Sequence, residues 1–443
     1  MQTLLAVGGL LALLGLTVVI LKRPTVVLYA ITVLAVASWD FPNLPAVMSV
    51  GGASVYPEDL LMGAAVLALL HRPRKFFDNS RPILAWAIIS AICLIGSLIA
   101  GLVVFGPSAV NEFRDFLYPV VAVAWGLGQD WSSPSWQAQF RKWLVVTGWG
   151  LCLIALVHIG LYGLGEADTF VTSVFSGEER TARPLTSSQA LMLAVIAFYL
   201  LSQNKGRRNI PTFLTAGAFL VMVLLVQHRS VWVASAAGIV ALAFLLRGKA
   251  ASRTIVAGVF VALGATAFLM SGGADKILEQ IAHSLNSSLT YESRTSSWQS
   301  LLDQSVEKGE ETVIFGSPFG SGYERVEIDR IVEWAPHNWY LTVYLRLGAF
   351  GLAAFLLLLA IIMVRAFSAR NAGAVAAFGA ILVYLWAYSF PWFLAPLLAW
   401  CVVSGKKRAV GGEEFLPTWG ARKFAHLTPA CPRAAAMHAL GGA

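Results

Sequence analysis

The chain contains little charge. Asp, Glu, Lys and Arg make up 13% of its 443 residues, about half of the roughly 25% that is usual in a soluble domain. The deficit is concentrated in apolar runs of roughly 17 to 25 residues, each long enough to cross a bilayer as a helix. Before residue 272 no interior polar stretch is long enough to form a soluble domain. These features exclude a soluble enzyme with a single hydrophobic tail.

The chain also lacks the cysteine spacing of a disulfide framework or a zinc site. Cys93, Cys152 and Cys401 lie inside apolar runs and Cys431 lies near the end of the chain. The formal charge of +8 comes from basic residues scattered one loop at a time, and not from a stripe that would bind nucleic acid. Adjacent acidic pairs on loops have no His or Asp at ligand spacing. We therefore expect no metal, no cofactor and no nucleic-acid partner.

The apolar runs predict an all-α protein, a polytopic transmembrane helical bundle of 12 or 13 spans. The first run, from Leu4 to Leu21, is followed by Lys22-Arg23-Pro24 and not by a cleavage site, which favours a retained span. Basic clusters recur after every second apolar run, so the positive-inside rule places all of them in the cytoplasm. These clusters lie at 22–23, 72–81, 141–142, 205–208, 247–253, 365–370 and 406–408.

The segments between these clusters are predicted to be external. They lie at 41–55, 104–113, 163–185, 227–230, 272–337 and a turn near 389–391. The predicted organisation is about ten spans in 1–271, a large external loop with short helices in 272–337, further spans in 338–405 and a disordered cytoplasmic tail in 406–443. Within the loop, helical periodicity runs from about Arg294 to Lys308. The aromatic residues of 130–143 predict an interfacial stretch.

Some arginines break the charge pattern. Arg229 lies in a short break between two apolar helices, where a charge is costly unless it is paired or faces a wet cavity. It is therefore a functional candidate, with snorkelling to the headgroups as the alternative. Arg114 opens a span beside Glu112 and Asp115, which could simply neutralise it.

Two further arginines precede a helix. Guanidinium groups and helix-end amides at Arg180 and Arg183 could hold an anion, although a solvated loop would look similar. Four other external basic residues have acidic neighbours in sequence and are predicted to be surface charges: Lys276, Lys308, Arg325 and Arg330.

A histidine lies at the start of the late apolar helix that runs to about Val364. His337 or Asn338 is expected near its N-cap, at the external membrane surface. Imidazole is the natural general base at neutral pH. A purely structural histidine at a helix start is the alternative.

Three motifs in the second half of the chain carry a family resemblance. They are Pro-His-Asn-Trp-Tyr-Leu at 336–341 with the glycines at 348 and 351, residues 294–298 with the glycine-rich turn at 315–320, and residues 229–232. In this order they resemble a His-Asn-x-x-Leu and Gly-x-x-Gly signature, an Arg-x-x-x-Trp helix with its following turn, and a Ser-Arg-x-x-Trp helix start. These are motifs of the O-antigen ligase and O-antigen polymerase superfamily of bacterial surface-polysaccharide enzymes. The likeness covers roughly 220–360, but Arg346 stands where the family often has Glu.

The resemblance implies a GT-C-like glycosyltransferase of the bacterial inner membrane. Such enzymes move a glycan from a polyprenyl (undecaprenyl) diphosphate carrier to a sugar hydroxyl at the external face, without a metal. The acceptor is lipid A–core in a ligase and another carrier-linked unit in a polymerase. A related protein O-oligosaccharyltransferase, a flippase for the diphosphate lipid and a membrane scaffold are the alternatives.

The same resemblance implies roles for particular residues. Arg229 and Arg294, with Arg180 or Arg183 as a third, would stabilise the diphosphate. His337 would be the general base. The remaining expected substrate contacts are Arg114, Asn338 and Glu333. The role of the missing family acid is either absent from this chain or taken over by Glu333.

Overall fold

The computed structural model describes residues 2–37, 45–50, 53–163, 170–172, 177, 179–203, 210–246, 289–327 and 330–404. Several predicted features lie outside these ranges and are not considered further. They are the basic clusters at 205–208, 247–253 and 406–408, the first part of the large loop (272–288), and the tail.

Helices dominate the described residues. The first half contains α1 (Gln2–Lys22), α2 (Thr25–Ala37), α3 (Pro57–Leu70), α4 (Pro73–Ser80), α5 (Leu84–Phe105), α6 (Ser108–Leu127) and α7 (Pro134–Tyr162). The second half contains α8 (Ser187–Ser202), α9 (Ile210–Leu225), α10 (Arg229–Leu245), α11 (Leu289–Glu307), α12 (Glu310–Phe315), α13 (Trp339–Ser368), α14 (Ala372–Leu385), a 3₁₀ turn (Trp392–Leu394) and α15 (Ala395–Ser404).

The described strands form three antiparallel two-stranded hairpins. They are β1 (Met48–Val50) with β2 (Ala53–Val55), β3 (Phe170–Thr172) with β4 (Glu179–Thr181), and β5 (Arg325–Glu327) with β6 (Arg330–Val332). Such short hairpins do not make a sheet core. The structure is therefore helical, as the sequence predicts.

Three described helices are long and apolar enough to cross a membrane. They are α5, α7 and α13, of 22, 29 and 30 residues. In α5, Ile88, Ile92, Ile95 and Ile99 are at least half exposed and recur at helical spacing. Apolar side chains in such a stripe are suited to contact with lipid. Seven further helices contain apolar stretches of 10 to 17 residues. The count of 12 or 13 spans stays a prediction.

The core lies around α8, in which every side chain from Ala190 to Leu200 is buried. Small residues bring α10 and α14 close to it. A Cβ added to Gly238 of α10 would lie 2.3 Å from the ring of Phe198, and one added to Gly373 would lie 2.1 Å from Oγ of Ser202. Close backbone approach at glycine is the usual way in which helices pack in membrane proteins.

The prediction of an interfacial aromatic stretch at 130–143 is wrong. Trp136, Phe140 and Trp143 are 6%, 1% and 0% exposed. Their spacing along α7 directs them to the same face, which packs into the protein. The ring of Phe140 lies 5.8 Å from that of Tyr199, which in turn lies 4.9 Å from Trp400. These aromatic residues join α7 to α8 and α15.

The predicted helix of the large loop is α11, which begins at Leu289, five residues before Arg294. Arg325 holds it to the β5–β6 hairpin. Its Nε donates to Oγ of Ser297, and its Nη1 donates to the carbonyl of Trp334 at 2.8 Å. Arg325 is 4% exposed, so the prediction that it is a surface charge is wrong. The prediction rested on its acidic neighbour Glu324, whereas the partners of Arg325 lie further away in the sequence.

The two glycines of the Gly-x-x-Gly motif have separate structural roles. Gly348 interrupts α13 with φ 64° and ψ −171°, a left-handed conformation that glycine adopts readily. A Cβ at Gly348 would lie 2.1 Å from the carbonyl oxygen of Ile314, and one at Gly316 would lie 2.5 Å from the backbone of Arg346. At Gly351, a Cβ would meet the side chain of Leu347 at 2.2 Å.

The break in α13 provides a place for the glycine-rich turn. The carbonyl of Leu345 accepts a hydrogen bond from the backbone N–H of Ser317 at 2.8 Å. The turn then buries Phe319 completely, with its ring edge-on to Phe113 and Phe116 at 5.3 and 5.2 Å. The large loop is therefore anchored to α6 and α13.

Segments predicted to be external contact one another. These contacts are Arg114 Nη2 to Ser54 O, Gly320 N to Glu112 Oε2 at 2.5 Å, Arg183 Nη1 to His228 Nδ1 at 2.6 Å, and Arg294 Nη1 to Ala387 O at 3.5 Å. Segments at or next to the predicted cytoplasmic clusters are likewise joined, by Arg72 Nη2 to Leu21 O at 3.0 Å and Arg141 Nη2 to Thr212 Oγ1 at 2.8 Å. The division between two faces stays a prediction.

We expect Gly348→Ala to destabilise the protein strongly. The substitution forces a Cβ onto Ile314 O and into a left-handed conformation, which together cost about 3 kcal/mol or more. The thermal midpoint of the purified protein in detergent should fall by several degrees. Gly150→Ala in α7 is the matched control, because its Cβ would meet nothing within 4 Å. An equal effect in both variants would contradict the role given to the helix break.

Candidate functional site

Three of the predicted site residues, Arg183, Arg294 and His337, lie around Tyr388, in the turn that follows α14. The ring of Tyr388 stacks on that of Tyr384, one helical turn earlier, with 5.0 Å between centroids and 17° between planes. Tyr384 is itself held by a hydrogen bond between its hydroxyl and Oγ of Ser187 at 2.9 Å. The position of Tyr388 is therefore fixed by the core helices α8 and α14.

Arg294 reaches Tyr388 from α11. Its guanidinium carbon lies 5.3 Å from the centroid of the Tyr388 ring, within the range of a cation–π contact. Its Nη1 also donates to the carbonyl of Ala387 at 3.5 Å. Half-buried in this position, the guanidinium is held against the turn.

His337 approaches the same ring from the start of α13. Its imidazole centroid lies 5.7 Å from that of Tyr388 at an interplanar angle of 62°. The side chain is exposed. Asn338 is the N-cap of α13, and its Oδ1 accepts from the backbone N–H of Leu341 at 3.1 Å. The cap thus fixes the backbone next to His337, while the substrate contact expected of Asn338 stays a prediction.

Arg183 enters the site together with a buried histidine. Its Nη1 donates to Nδ1 of His228 at 2.6 Å, and Nε2 of His228 donates to the carbonyl of Leu185 at 2.9 Å. This pattern requires a neutral imidazole that carries its proton on Nε2. Burial, and then the positive charge of Arg183, lower the pKa of His228 from 6.5 to about 3. His228 is therefore a neutral support for Arg183.

The positive charge of the site affects the pKa of Tyr388. Burial raises the pKa of its phenol, but the charge and hydrogen bond of Arg294, the charge of Arg183 and a hydrogen bond with Ser230 together lower it below 10. Two guanidinium groups thus lie close enough to one hydroxyl to favour its negative form. A group of this kind is suited to bind an anion with several oxygens, such as a phosphate.

Arg229 lies beside this cluster as the first residue of α10, between His228 and Ser230. It is half-buried. The turn before it is unusual, since Gln227 has φ 60°, which is uncommon for a residue other than glycine. Backbone strain of this kind is frequent at functional sites.

Two other predicted residues lie on loops. Arg180 is in β4, opposite Val171 in the hairpin register, and its side chain lies outside the described residues. Glu333 lies between β6 and α13 with an exposed side chain. Their expected contacts with a substrate stay predictions.

Arg114 is part of a separate structural cluster. It donates through Nε to Oδ1 of Asp59 at 3.0 Å and through Nη1 to Oδ1 of Asn111 at 2.6 Å. Its guanidinium also lies over the ring of Tyr56, 5.1 Å from the centroid. The paired carboxylate thus comes from α3 and not from a sequence neighbour of Arg114. These contacts favour the structural alternative left open for this residue.

Arg346, at the position where the family often has Glu, also has a structural role. It is 2% exposed and forms an ion pair with Glu112, with 2.5 Å between Nη2 and Oε1. Its Nη1 donates to Oγ of Ser321 at 2.9 Å, and its guanidinium lies 4.0 Å from the centroid of the Tyr323 ring. Arg346 therefore holds the glycine-rich turn against α6 and α13.

Sequence reasoning missed His228, Ser230 and Tyr388 as parts of the site. The first two flank Arg229, and His228 stands out only as an unusual residue before a helix. Tyr388 follows Tyr384 by four residues at the end of an apolar helix, in the turn predicted to be external. That pairing at an external helix end is the signal that could have identified it.

Comparison of the chain with protein-family models, curated proteins and solved structures gives no match. Within the described part of the chain, no group of three or more His, Cys, Asp or Glu residues is arranged to hold a metal ion. The geometry around Tyr388 is therefore the main indication of function.

We expect His228 to make folding sensitive to acid. Between pH 6.5 and about 3 the unfolded chain binds a proton at this residue and the folded protein does not. Stability should therefore fall with decreasing pH, by up to about 1.4 kcal/mol per pH unit from this group. The measurement is the thermal midpoint in detergent between pH 7 and 5.

In the same measurement, His228→Gln should show a weaker dependence on pH than the unsubstituted protein. His71→Gln is the matched control, because the side chain of His71 is exposed. If His228→Gln retains the full loss of stability on acidification, the buried neutral state assigned to His228 is wrong.

Proposed function

We propose that the protein is a membrane glycosyltransferase of the O-antigen ligase type, which takes a glycan from a polyprenyl diphosphate carrier. The observation that carries this proposal is the meeting of Arg183, Arg294 and His337 at Tyr388. These residues come from segments far apart in the sequence, and each was selected from the sequence for this chemistry.

The two arginines suit a diphosphate leaving group. When the bond between sugar and phosphate breaks, negative charge grows on the phosphate oxygens, and a diphosphate needs no added proton to leave. Guanidinium groups stay ionised and present paired N–H donors, so they stabilise that charge as it develops. Arg229 is close enough in sequence to His228 and Ser230 to act as a third group.

The attacking hydroxyl of the acceptor must lose its proton, and His337 is the proposed base. Its imidazole is exposed and lies against the same ring as Arg294. An acceptor sugar bound above the turn could therefore reach both the base and the diphosphate-linked carbon. A positioned base of this kind contributes about 10²- to 10⁴-fold in rate.

The apolar helices suit a lipid carrier. The exposed stripe on α5 and the three long apolar helices support a protein embedded in the membrane. We propose that it spans the bacterial inner membrane several times, with the Tyr388 cluster at the periplasmic face. The positive-inside rule supports this placement of the cluster, because it assigns all the segments that form the cluster to the external side.

A polymerase of the same superfamily would use the same donor chemistry. The two activities differ in the acceptor, which is lipid A–core in a ligase and another carrier-linked glycan in a polymerase. A flippase would bind the diphosphate through the same arginines without reaction. The exposed imidazole beside the cationic group favours an enzyme, because binding alone does not need a base.

We expect the two faces to be labelled from opposite sides of the membrane. With Cys431→Ser as background, Glu324→Cys should react with an impermeant maleimide in intact spheroplasts, and Arg74→Cys should react only after lysis. Both positions are exposed, so access depends on the side of the membrane alone. The reverse labelling would overturn the orientation and the proposed periplasmic site.

We expect Arg294 and His337 to affect different steps of transfer. Arg294→Ala should weaken donor binding by roughly 10- to 150-fold, because a charged hydrogen bond to phosphate is lost, and Arg294→Lys should restore it only in part. His337→Gln should bind the donor normally and lose about 10²- to 10⁴-fold in turnover. The measurements are donor binding and glycan transfer with the purified protein in nanodiscs.

Lys308→Ala is the matched control for Arg294→Ala, since it removes an exposed positive charge from the same loop. It should change neither step. Near-normal turnover in a folded His337→Gln protein would exclude His337 as the base, and normal donor binding in Arg294→Ala would remove Arg294 from the site.

A further inference from the structure

Tyr388 touches more of the candidate site than any residue that the sequence singled out. Its ring contacts Arg294 from α11, His337 from the start of α13 and Tyr384 from α14. Its hydroxyl is hydrogen-bonded with Arg294 and with Ser230 of α10, and the positive charge of Arg183 also acts on it. Within the described part of the chain, these are the titratable and charged groups that act on Tyr388 from the elements packed around it.

The phenol is anchored to the helical core. Stacking on Tyr384 and the bond of Tyr384 to Ser187 connect it to two core helices. Arg294 and His337, in contrast, belong to the large loop and its junction with α13. A rigid ring between two groups of a loop fixes the distance between them.

We infer that Tyr388 is a positioning residue of an anion site, in which its ring holds Arg294 and His337 at a fixed separation and its neutral hydroxyl does not compete with a bound phosphate for the positive charge of Arg294 and Arg183. This inference rests on the proposed function only for the identity of the ligand as a diphosphate. A phenolate at this position would itself neutralise the arginines and would repel the anion. The hydroxyl must therefore remain protonated for the anion to bind.

The positive charges around Tyr388 also favour ionisation of its phenol at high pH. Arg294 and Arg183 favour the phenolate, so the phenol ionises below its ordinary pKa near 10. Below that pKa the site is open to an anion, and above it the phenolate competes. Anion binding should therefore weaken as pH rises toward 10, and this dependence should vanish when the hydroxyl is absent.

Inorganic pyrophosphate is the probe that tests this inference without any transfer reaction. Its dissociation constant is measured by calorimetry at pH 7.5 and 9.5 for the full-length protein in nanodiscs, for Tyr388→Phe and for Tyr340→Phe. Tyr340 is the matched control, because its hydroxyl donates only to the carbonyl of Leu382 at 2.8 Å among the contacts described for it. Comparison between variants cancels the ionisation of pyrophosphate itself.

At pH 7.5 we expect Tyr388→Phe to weaken binding by roughly 2- to 10-fold, because the hydrogen bonds of the hydroxyl, which help to hold Arg294 in place, are lost. Between pH 7.5 and 9.5 the unsubstituted protein and Tyr340→Phe should lose affinity by roughly fivefold or more relative to Tyr388→Phe. An identical pH dependence in all three proteins, or no binding of pyrophosphate to the unsubstituted protein, would overturn the inference.

Tyr388→Leu tests the role of the ring. In the transfer assay it should reduce kcat by at least about tenfold more than Tyr388→Phe, because only the phenylalanine keeps the contacts with Arg294 and His337. Equal kcat values in the two variants would remove the positioning role. If no glycan is transferred by any protein while the pyrophosphate results hold, the proposed function fails and the anion site remains.

Discussion

The packing of Gly316 against Gly348 is the contact on which the candidate site depends. The backbones at these two positions approach so closely that neither has room for a Cβ. This contact requires α13 to break, and the break frees Leu345 O for the glycine-rich turn. The loop that carries Arg294 is thereby placed against the helix start that carries His337. The Arg346–Glu112 ion pair reinforces the same arrangement from the side of α6.

Apolar periodicity was sufficient to predict the helical architecture and the helix of the large loop. It could not predict which faces are buried. The aromatic residues of 130–143 have the composition of an interfacial segment, but a helix that packs against α8 buries the same residues. Lipid and protein interior select similar side chains, so only the tertiary neighbours distinguish them.

The arginines show that the partners of site residues are equally hard to predict from sequence. Location and motif directed attention to Arg183 and Arg294, and the structure brings both to Tyr388. Location also directed attention to Arg114, which instead pairs with Asp59, and it missed the burial of Arg325. The sequence around an arginine near a membrane surface is similar whether the partner of its guanidinium is a distant carboxylate, a carbonyl or a ligand. Tyr388 was missed because its role arises only where four separate segments meet.

The anchoring of the large loop at two places has a consequence for how the protein can diversify. Ser297 is fixed by its bond with Arg325, and Gly316 by its contact with Gly348. The stretch between them carries exposed apolar side chains, among them Val306 and Phe315. Substitutions at these exposed positions leave the distance between Arg294 and His337 unchanged. Evolution can therefore alter the surface that meets a partner molecule while the chemistry beneath it stays constant.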